Sequence, residues 1–362
     1  MRILYLHVLF FNDLKFYPSL VRSINNINDL KPEQHFFITC NENVFKSIAQ
    51  YSNVRLVKRM DLYKYIYISK YVIFHSMPLK KWQFILLPRF ICKRIIWRTW
   101  GHDVRPFERT GLKIYDFLKY VEFQIYKKKL RTICAIGVAN KVDIINVEET
   151  YNYKFKYFKL NYLNSIETID LLKKITVSKD HEYLKIMIGH NCSPVDNHLE
   201  ILDILSKYKN EKIHLLIPLS YSNPENGYKE KVIKKAYDIF GQANVTILED
   251  FITLDAYLNI IASIDIAIMD MYYSNGLSNI SYVLYFGKKL YIKKNSNFDK
   301  AFLRENIIPN YTSEIVTENF NEFKTNNFDL KYNEFCDDLL DKNVFKNGWL
   351  KLINELGEKN DK

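Results

Sequence analysis

The sequence predicts an α/β protein made of two Rossmann-like domains that face each other across a cleft. Three observations lead there. Short apolar runs of strand length alternate with helical patterns through most of the chain, the mark of a parallel, doubly wound sheet. At 362 residues the chain is too long for one comfortable core, and two domains of about 170 residues each are the default. The alternation breaks in the polar stretch SIETIDLLKKITVSKDHEY (165–183) and then restarts. We therefore divide the chain into 1–175, 176–320 and a helical tail, 321–362, that packs back on the domains.

The elements follow in order. RILYLHVLF (2–10) is a first buried strand: it is short, and no small-residue cleavage site follows it. A helix runs near Pro18 to Asn26, and HFFITC (35–40), VRLVKR (54–59) and YVIFHS (71–76) are further strands. RIIWRTWG (94–101), TICAIGV (132–138) and YFKLNYLN (157–164) continue the series, with helical patterns between most of them. In the second half, strands are expected at LKIMI (184–188), IHLLIPLS (213–220), NVTILED (244–250), DIAIMDM (265–271) and KLYIKK (289–294). Helices from His198, over 226–240, over 254–264 and over 276–287 separate them, the last stopped by Gly287. Ligands of such sheets bind beyond the carboxyl ends of the strands.

Composition narrows the function. Hydrophobic residues make up 48% and charged residues 26%, which describes a globular chain. No run of 18 uncharged apolar residues occurs, so no transmembrane helix is expected. The five cysteines are scattered with no CxxC pair, which suggests a reducing cytoplasm and no bound metal. Residues 1–180 hold 31 basic against 15 acidic side chains, a net of +16, whereas 181–362 hold 21 against 26, a net of −5. Between Leu62 and His102 there are eight basic residues and no acidic one. A half so basic suits a polyanion or an anionic membrane surface.

Two loops look built for phosphate. Gly189 ends a strand, Ser193 and Pro194 turn the chain, and Asp196 or Asn197 can cap the helix beginning near His198. SNGLSNI (274–280) repeats the plan: Gly276 allows close backbone approach, and Ser278 and Asn279 sit at a helix start. Two helix N-termini at one sheet edge suit a diphosphate. GxGxxG after the first strand and GxxxxGK[ST] are both absent, which argues against a dehydrogenase and a P-loop enzyme. Asp103, in WRTWGHDVRPFE (97–108), lies just past a strand end, where a carboxylate can deprotonate an acceptor hydroxyl. His75 and His7 are alternative bases. The stretches 80–100 and 113–131 interleave Lys and Arg with Trp, Phe, Tyr and Leu. The second reads as one amphipathic helix with a basic tail, fit for an anionic bilayer interface or for single-stranded nucleic acid.

These residues together resemble glycosyltransferase family 56, the TDP-4-acetamido-4,6-dideoxygalactose (Fuc4NAc) transferases of enterobacterial common antigen synthesis. The likeness runs from Leu6-His7-Val8 to about Pro309. It is carried by W-x-x-W-G-x-D at 97–103, the loop 189–200, IPLSY at 217–221 and G-L-x-N-I at 276–280. The chain departs from the family pattern at Tyr273-Ser274-Asn275, Ser278, His190-Asn191-Cys192 and His102. Most of these departures lie in the donor loops and bear on which sugar and nucleotide is taken.

The resemblance implies a metal-independent glycosyltransferase of GT-B type, needing no cofactor. Its basic first domain would meet a polyprenyl-diphosphate-linked saccharide at the cytoplasmic face of the bacterial inner membrane, as a peripheral protein on an anionic surface. Asp103 would be the base of an inverting reaction or a positioning group in a retaining one, with His75 as the second catalytic candidate. His7, Lys93, Arg94, Trp97, Arg98 and Trp100 would meet the acceptor and the membrane. The second domain would hold the nucleotide-sugar donor through Gly189, Asn191, Ser193, Asn197, His198, Tyr221, Glu249, Gly276, Ser278 and Asn279. Two alternatives stand beside this reading: a non-catalytic sugar-nucleotide-binding protein, and a nucleic-acid-binding protein, although no nucleic-acid partner is expected.

Overall fold

The computed structural model describes residues 3–14, 16–101, 103–104, 107, 111, 113–161, 170–177, 182–220, 227–273, 275–332 and 342–358. Tyr221, His102 and Ser274 lie outside the described residues. The chain forms two compact units, Met1–Ile166 with Asp341–Lys362, and Glu167–Leu340. The division falls a few residues before the expected boundary, and the end of the tail belongs to the first unit.

The first unit holds a seven-stranded parallel sheet in the order β3-β2-β1-β4-β5-β6-β7. Its strands are β1 (Tyr5–Leu9), β2 (His35–Thr39), β3 (Val54–Leu56), β4 (Tyr71–His75), β5 (Ile95–Arg98), β6 (Ala135–Val138) and β7 (Tyr157–Lys159). Its helices are α1 (Tyr17–Asn26), α2 (Glu42–Ile48), α3 (Asp61–Ile68), α4 (Lys81–Leu86), α5 (Arg89–Cys92), α6 (Lys113–Leu130) and α7 (Lys141–Tyr151). Asn41 and Asn140 start α2 and α7, each accepting two backbone amides of the first turn. β1 and β4 are buried at every position, because helices cover both faces of a parallel sheet. Leu6, Val8, Val72 and Phe74 feed the core under α3 to α7, and Tyr5, Leu9, Tyr71 and Ile73 feed the opposite one.

The second unit repeats the scheme with six parallel strands in the order β10-β9-β8-β11-β12-β13. They are β8 (Leu184–Ile188), β9 (Ile213–Pro218), β10 (Val245–Leu248), β11 (Ile266–Met269), β12 (Lys289–Ile292) and the short edge strand β13 (Asn310–Tyr311). The helices are α8 (His198–Leu205), α9 (Tyr228–Phe240), α10 (Leu254–Ser263), α11 (Leu277–Tyr285), α12 (Asn297–Arg304) and α13 (Phe320–Lys324). β13 was too short and too polar to announce itself.

The last helix, α14 (Lys342–Glu358), returns to the first unit. Phe345, Trp349, Leu352, Ile353 and Leu356 complete the core beside α1 and α2. Gly348 is required there, since a Cβ would stand 1.8 Å from the carbonyl oxygen of Lys159. The tail therefore finishes one domain.

Candidate active site

In each sheet the strand order reverses at one place, between β1 and β4 and between β8 and β11. The loops leaving two adjacent strands there run in opposite directions, which opens a crevice at their carboxyl ends. The predicted site residues on the loops after β4, β5, β8 and β11 lie at these carboxyl ends.

In the second unit, Gly189 takes a φ of +66°, and its amide donates to Ile268 O of β11 across the switch point (2.9 Å). A Cβ on Gly189 would lie 2.5 Å from His198 Nε2 and 2.9 Å from Asp196 Oδ2, so only glycine fits. The next two amides, of His190 and Asn191, donate to Asp196 Oδ2 at 2.8 and 3.1 Å. His190 Nδ1 lies 3.0 Å from the same oxygen. Burial alone would raise the Asp196 carboxyl, but its contacts with the His190 side chain and amide outweigh that and hold it below the usual value. This corrects the expectation that the Gly189 loop presents its amides to a ligand phosphate. The loop carries its own anion.

His198, the first residue of α8, is buried, with Nδ1 3.1 Å from the Tyr228 hydroxyl. Burial pushes its pKa down to about 4 against the pull of Asp196, so the imidazole is neutral. Asn197 does not cap α8 through its side chain; its Nδ2 reaches Asp270 O and Oδ2 at 3.0 and 2.8 Å. Lys293 Nζ closes the group at 2.9 Å from Asp270 Oδ2. Gly276, φ +66°, packs on His190, where a Cβ would stand 3.0 Å from the ring. It begins α11, and no described residue accepts the amides of Leu277, Ser278 and Asn279. The Asn279 side chain turns inward to accept from Tyr257 OH (2.8 Å). Ser193 accepts its own loop's Val195 amide at 3.4 Å. Glu249 stands apart, just past the outer strand β10, paired with Lys229 at 2.6 Å.

In the first unit, Asp103 ties the loops after β4 and β5 together. Its Oδ2 accepts from Met77 N (3.1 Å) and Trp97 Nε1 (2.8 Å), and its Oδ1 accepts from Trp100 N (2.8 Å). A carboxylate offers about four acceptor positions, and among the described residues one on Oδ1 is not taken. Beside it Ser76 adopts a φ of +66°, unusual for a residue with a Cβ, and donates its amide to Arg98 O (2.9 Å).

His75 and His7 sit differently from expectation. Both are fully buried. His75 Nε2 lies 3.0 Å from His7 Nδ1, His7 Nε2 lies 2.7 Å from His35 Nδ1, and His35 Nε2 reaches Leu30 O at 2.9 Å. The carbonyl can only accept, so each imidazole donates one way along the chain, and His7 and His35, which each accept on the other nitrogen, are neutral. Burial drives His7 and His75 well below the usual value and His35 to about 4. His75 is thus withdrawn as a surface base, and His7 as an acceptor contact.

Trp97 and Arg98 are withdrawn too. β5 is an interior strand covered on both faces, so both side chains are buried, and Arg98 Nε donates to Leu160 O at 3.0 Å. Trp100 is half-buried against Phe16 and Tyr17, Arg94 is half-buried over Phe90, and Lys93 is exposed. Among the described residues no cluster of three or more His, Cys, Asp or Glu side chains could hold a metal. Residues the sequence reading passed over are His35, Asp270 and Lys293. The last two each follow an apolar strand directly, the one local signal that could have found them.

A family model described as 4-alpha-L-fucosyltransferase glycosyl transferase group 56 matches residues 59–352. The chain belongs to glycosyltransferase group 56. The match spans both units and every residue of the two crevices beyond β3. The fold of this group 56 enzyme is that of GT-B glycosyltransferases. It is similar to a glycosyltransferase from Rickettsia africae, with TM-score 0.65 and 12% identity, covering 98% of each chain. It is also similar to Anabaena HepE in complex with UDP and glucose, with TM-score 0.60 and 10% identity, covering 98% of this chain and 100% of that one. An E. coli trehalose-6-phosphate structure bound with UDP-2-fluoro glucose gives TM-score 0.58 and 12% identity, covering 97% and 98%.

Proposed function

We propose that this group 56 glycosyltransferase moves a deoxyamino sugar, Fuc4NAc or a close relative, from a TDP- or UDP-sugar to a polyprenyl-diphosphate-linked saccharide. The setting is the cytoplasmic face of the bacterial inner membrane, in surface polysaccharide synthesis. The observation that carries this reading is the start of α11, where none of the described residues accepts the three backbone amides that follow Gly276. As the glycosidic bond to the nucleotide breaks, negative charge grows on the leaving diphosphate. Fixed amides at a helix N-terminus stabilise that charge without reorganising. Asp196 supports them at one remove, by holding His190 against Gly276.

Asp103 receives the acceptor. The Oδ1 position that no described residue fills accepts the attacking hydroxyl, and the three donors on the carboxylate fix its orientation. The basic first unit suits an acceptor that carries a diphosphate and lies on anionic lipid.

Thermal stabilisation by TDP, UDP, GDP, CMP and ADP, with and without EDTA, tests the donor half. A nucleotide at 100 times its dissociation constant adds about 2.7 kcal/mol of native-state stability. Selective stabilisation by TDP or UDP, unchanged by EDTA, is the expected result. A chain that no nucleotide stabilises, but that binds an oligonucleotide tightly in low salt, is not this enzyme.

A further inference from the structure

Helix α6 is apolar on two opposite sides. Phe123, Tyr126 and Leu130 form one stripe, buried against the first unit's core, with Tyr126 5.4 Å from Phe84 of α4. At about 100° per residue, Ile114, Phe117, Leu118, Val121 and Ile125 form a second stripe roughly 150° round the helix. That second stripe is bare: the five side chains are 80%, 65%, 61%, 38% and 47% exposed. From Lys113 to Val121 every side chain but Asp116 is exposed, so this half of α6 stands clear of the core. On α4, Trp82 and Leu86, one turn apart, are 52% and 72% exposed. A helix apolar all round is normally covered on all sides, and an apolar patch of this extent marks an interaction surface.

The charges around the patch say what covers it. Lys80, Arg89, Lys93 and Lys119 are exposed on α6 and on the neighbouring segment that has no acidic residue between Leu62 and His102. Lys128 and Lys129 flank the second stripe at its C-terminal end. Among the described residues no helix is long and apolar enough to cross a membrane. An apolar stripe with long basic side chains at its margins matches a bilayer interface, where the stems lie along the acyl chains and the ammonium groups reach anionic headgroups.

We infer that the outer stripe of α6, with Trp82 and Leu86 of α4, inserts into the headgroup–acyl boundary of an anionic bilayer. This rests on the proposed lipid-linked acceptor, because insertion would bring the first unit to the surface where that acceptor lies. The surface binds lipid through side chains that Asp103 and the donor loops do not use.

Trp82 is the reporter, since Trp97 and Trp349 are buried and Trp100 is half-buried. The full chain is mixed with phosphatidylglycerol-containing vesicles, some with bromine-labelled acyl chains, and with pure phosphatidylcholine vesicles. Expected are binding to the anionic vesicles, quenching by bromine that Trp82→Phe abolishes, and roughly tenfold weaker binding for each of Phe117→Ser and Leu118→Ser. Both positions are exposed, so the melting temperature of the variants should stay unchanged. Absence of binding, binding without quenching, or unchanged binding by both Ser variants overturns the inference. So does a dimer in sedimentation that either Ser variant dissociates, which would make a second copy the occupant. TDP or UDP stabilisation of the same samples separates the two failures: if it persists while vesicle binding fails, only the insertion falls.

Discussion

Acid should weaken the first unit of this enzyme well above the ordinary carboxylate range, and its three linked histidines set the size of the effect there. In the unfolded chain each imidazole titrates near 6.5; in the folded unit burial drives His7 and His75 well below that and His35 to about 4. A depressed folded pKa contributes stability that is fully present above 6.5 and is lost as pH falls through 6.5 toward the folded value. At about pH 5.5 the unfolded chain binds nearly one proton per imidazole and the folded one almost none, costing about 1.4 kcal/mol each. For the three together the loss is about 4 kcal/mol, a large share of the 5–15 kcal/mol typical of a domain. The assay is the urea midpoint from about pH 7.5 to about pH 5.5, followed by hydrogen exchange in β1, β2 and β4. Ordinary carboxylates titrate at about 4, below that window, so the slope belongs to histidine, and His198 adds a similar share in the second unit. Stability that stays flat, or rises, as pH falls would refute the reasoning, because an imidazole of the chain would then already be charged when folded.

Three other predictions follow from the same geometry. Asp103→Asn should abolish sugar transfer while TDP or UDP stabilisation remains; because one amide hydrogen would face donors, a loss of about 1–3 kcal/mol in folding stability should accompany it. Gly276→Ala should weaken nucleotide stabilisation and lower folding stability by about 1 kcal/mol, since its φ is +66° and its Cβ would press on His190 at 3.0 Å. Full nucleotide binding by that variant would remove the α11 start from the donor site. Deleting 341–362 strips five buried apolar side chains from the first unit, worth on the order of 10 kcal/mol at about 1.5–3 kcal/mol each. Limited proteolysis should then find the first unit cleaved and the second protected; equal protection of both would contradict the packing of α14.

Much of the fold was legible in the linear chain because parallel strands buried on both faces read as continuous apolar runs. LKIMI, DIAIMDM and the strands of the first half declared themselves that way, and the small-residue loops after β8 and β11 marked one edge of a sheet. The same burial hid what the site would look like. When both faces of a strand are covered, side-chain type no longer tells which way a residue points. Trp97, Arg98, His7 and His75 therefore read as surface groups and proved to be interior. Local spacing also offered no way to see that Asp196 would fold back onto the amides of its own loop, or that His7, His35 and His75 would meet from three strands. Only the sheet order puts those strands side by side, and that order comes from contacts far apart in sequence. For α6 the sequence supplied both apolar stripes, but packing alone decided which one is buried against the core and which is left for a partner.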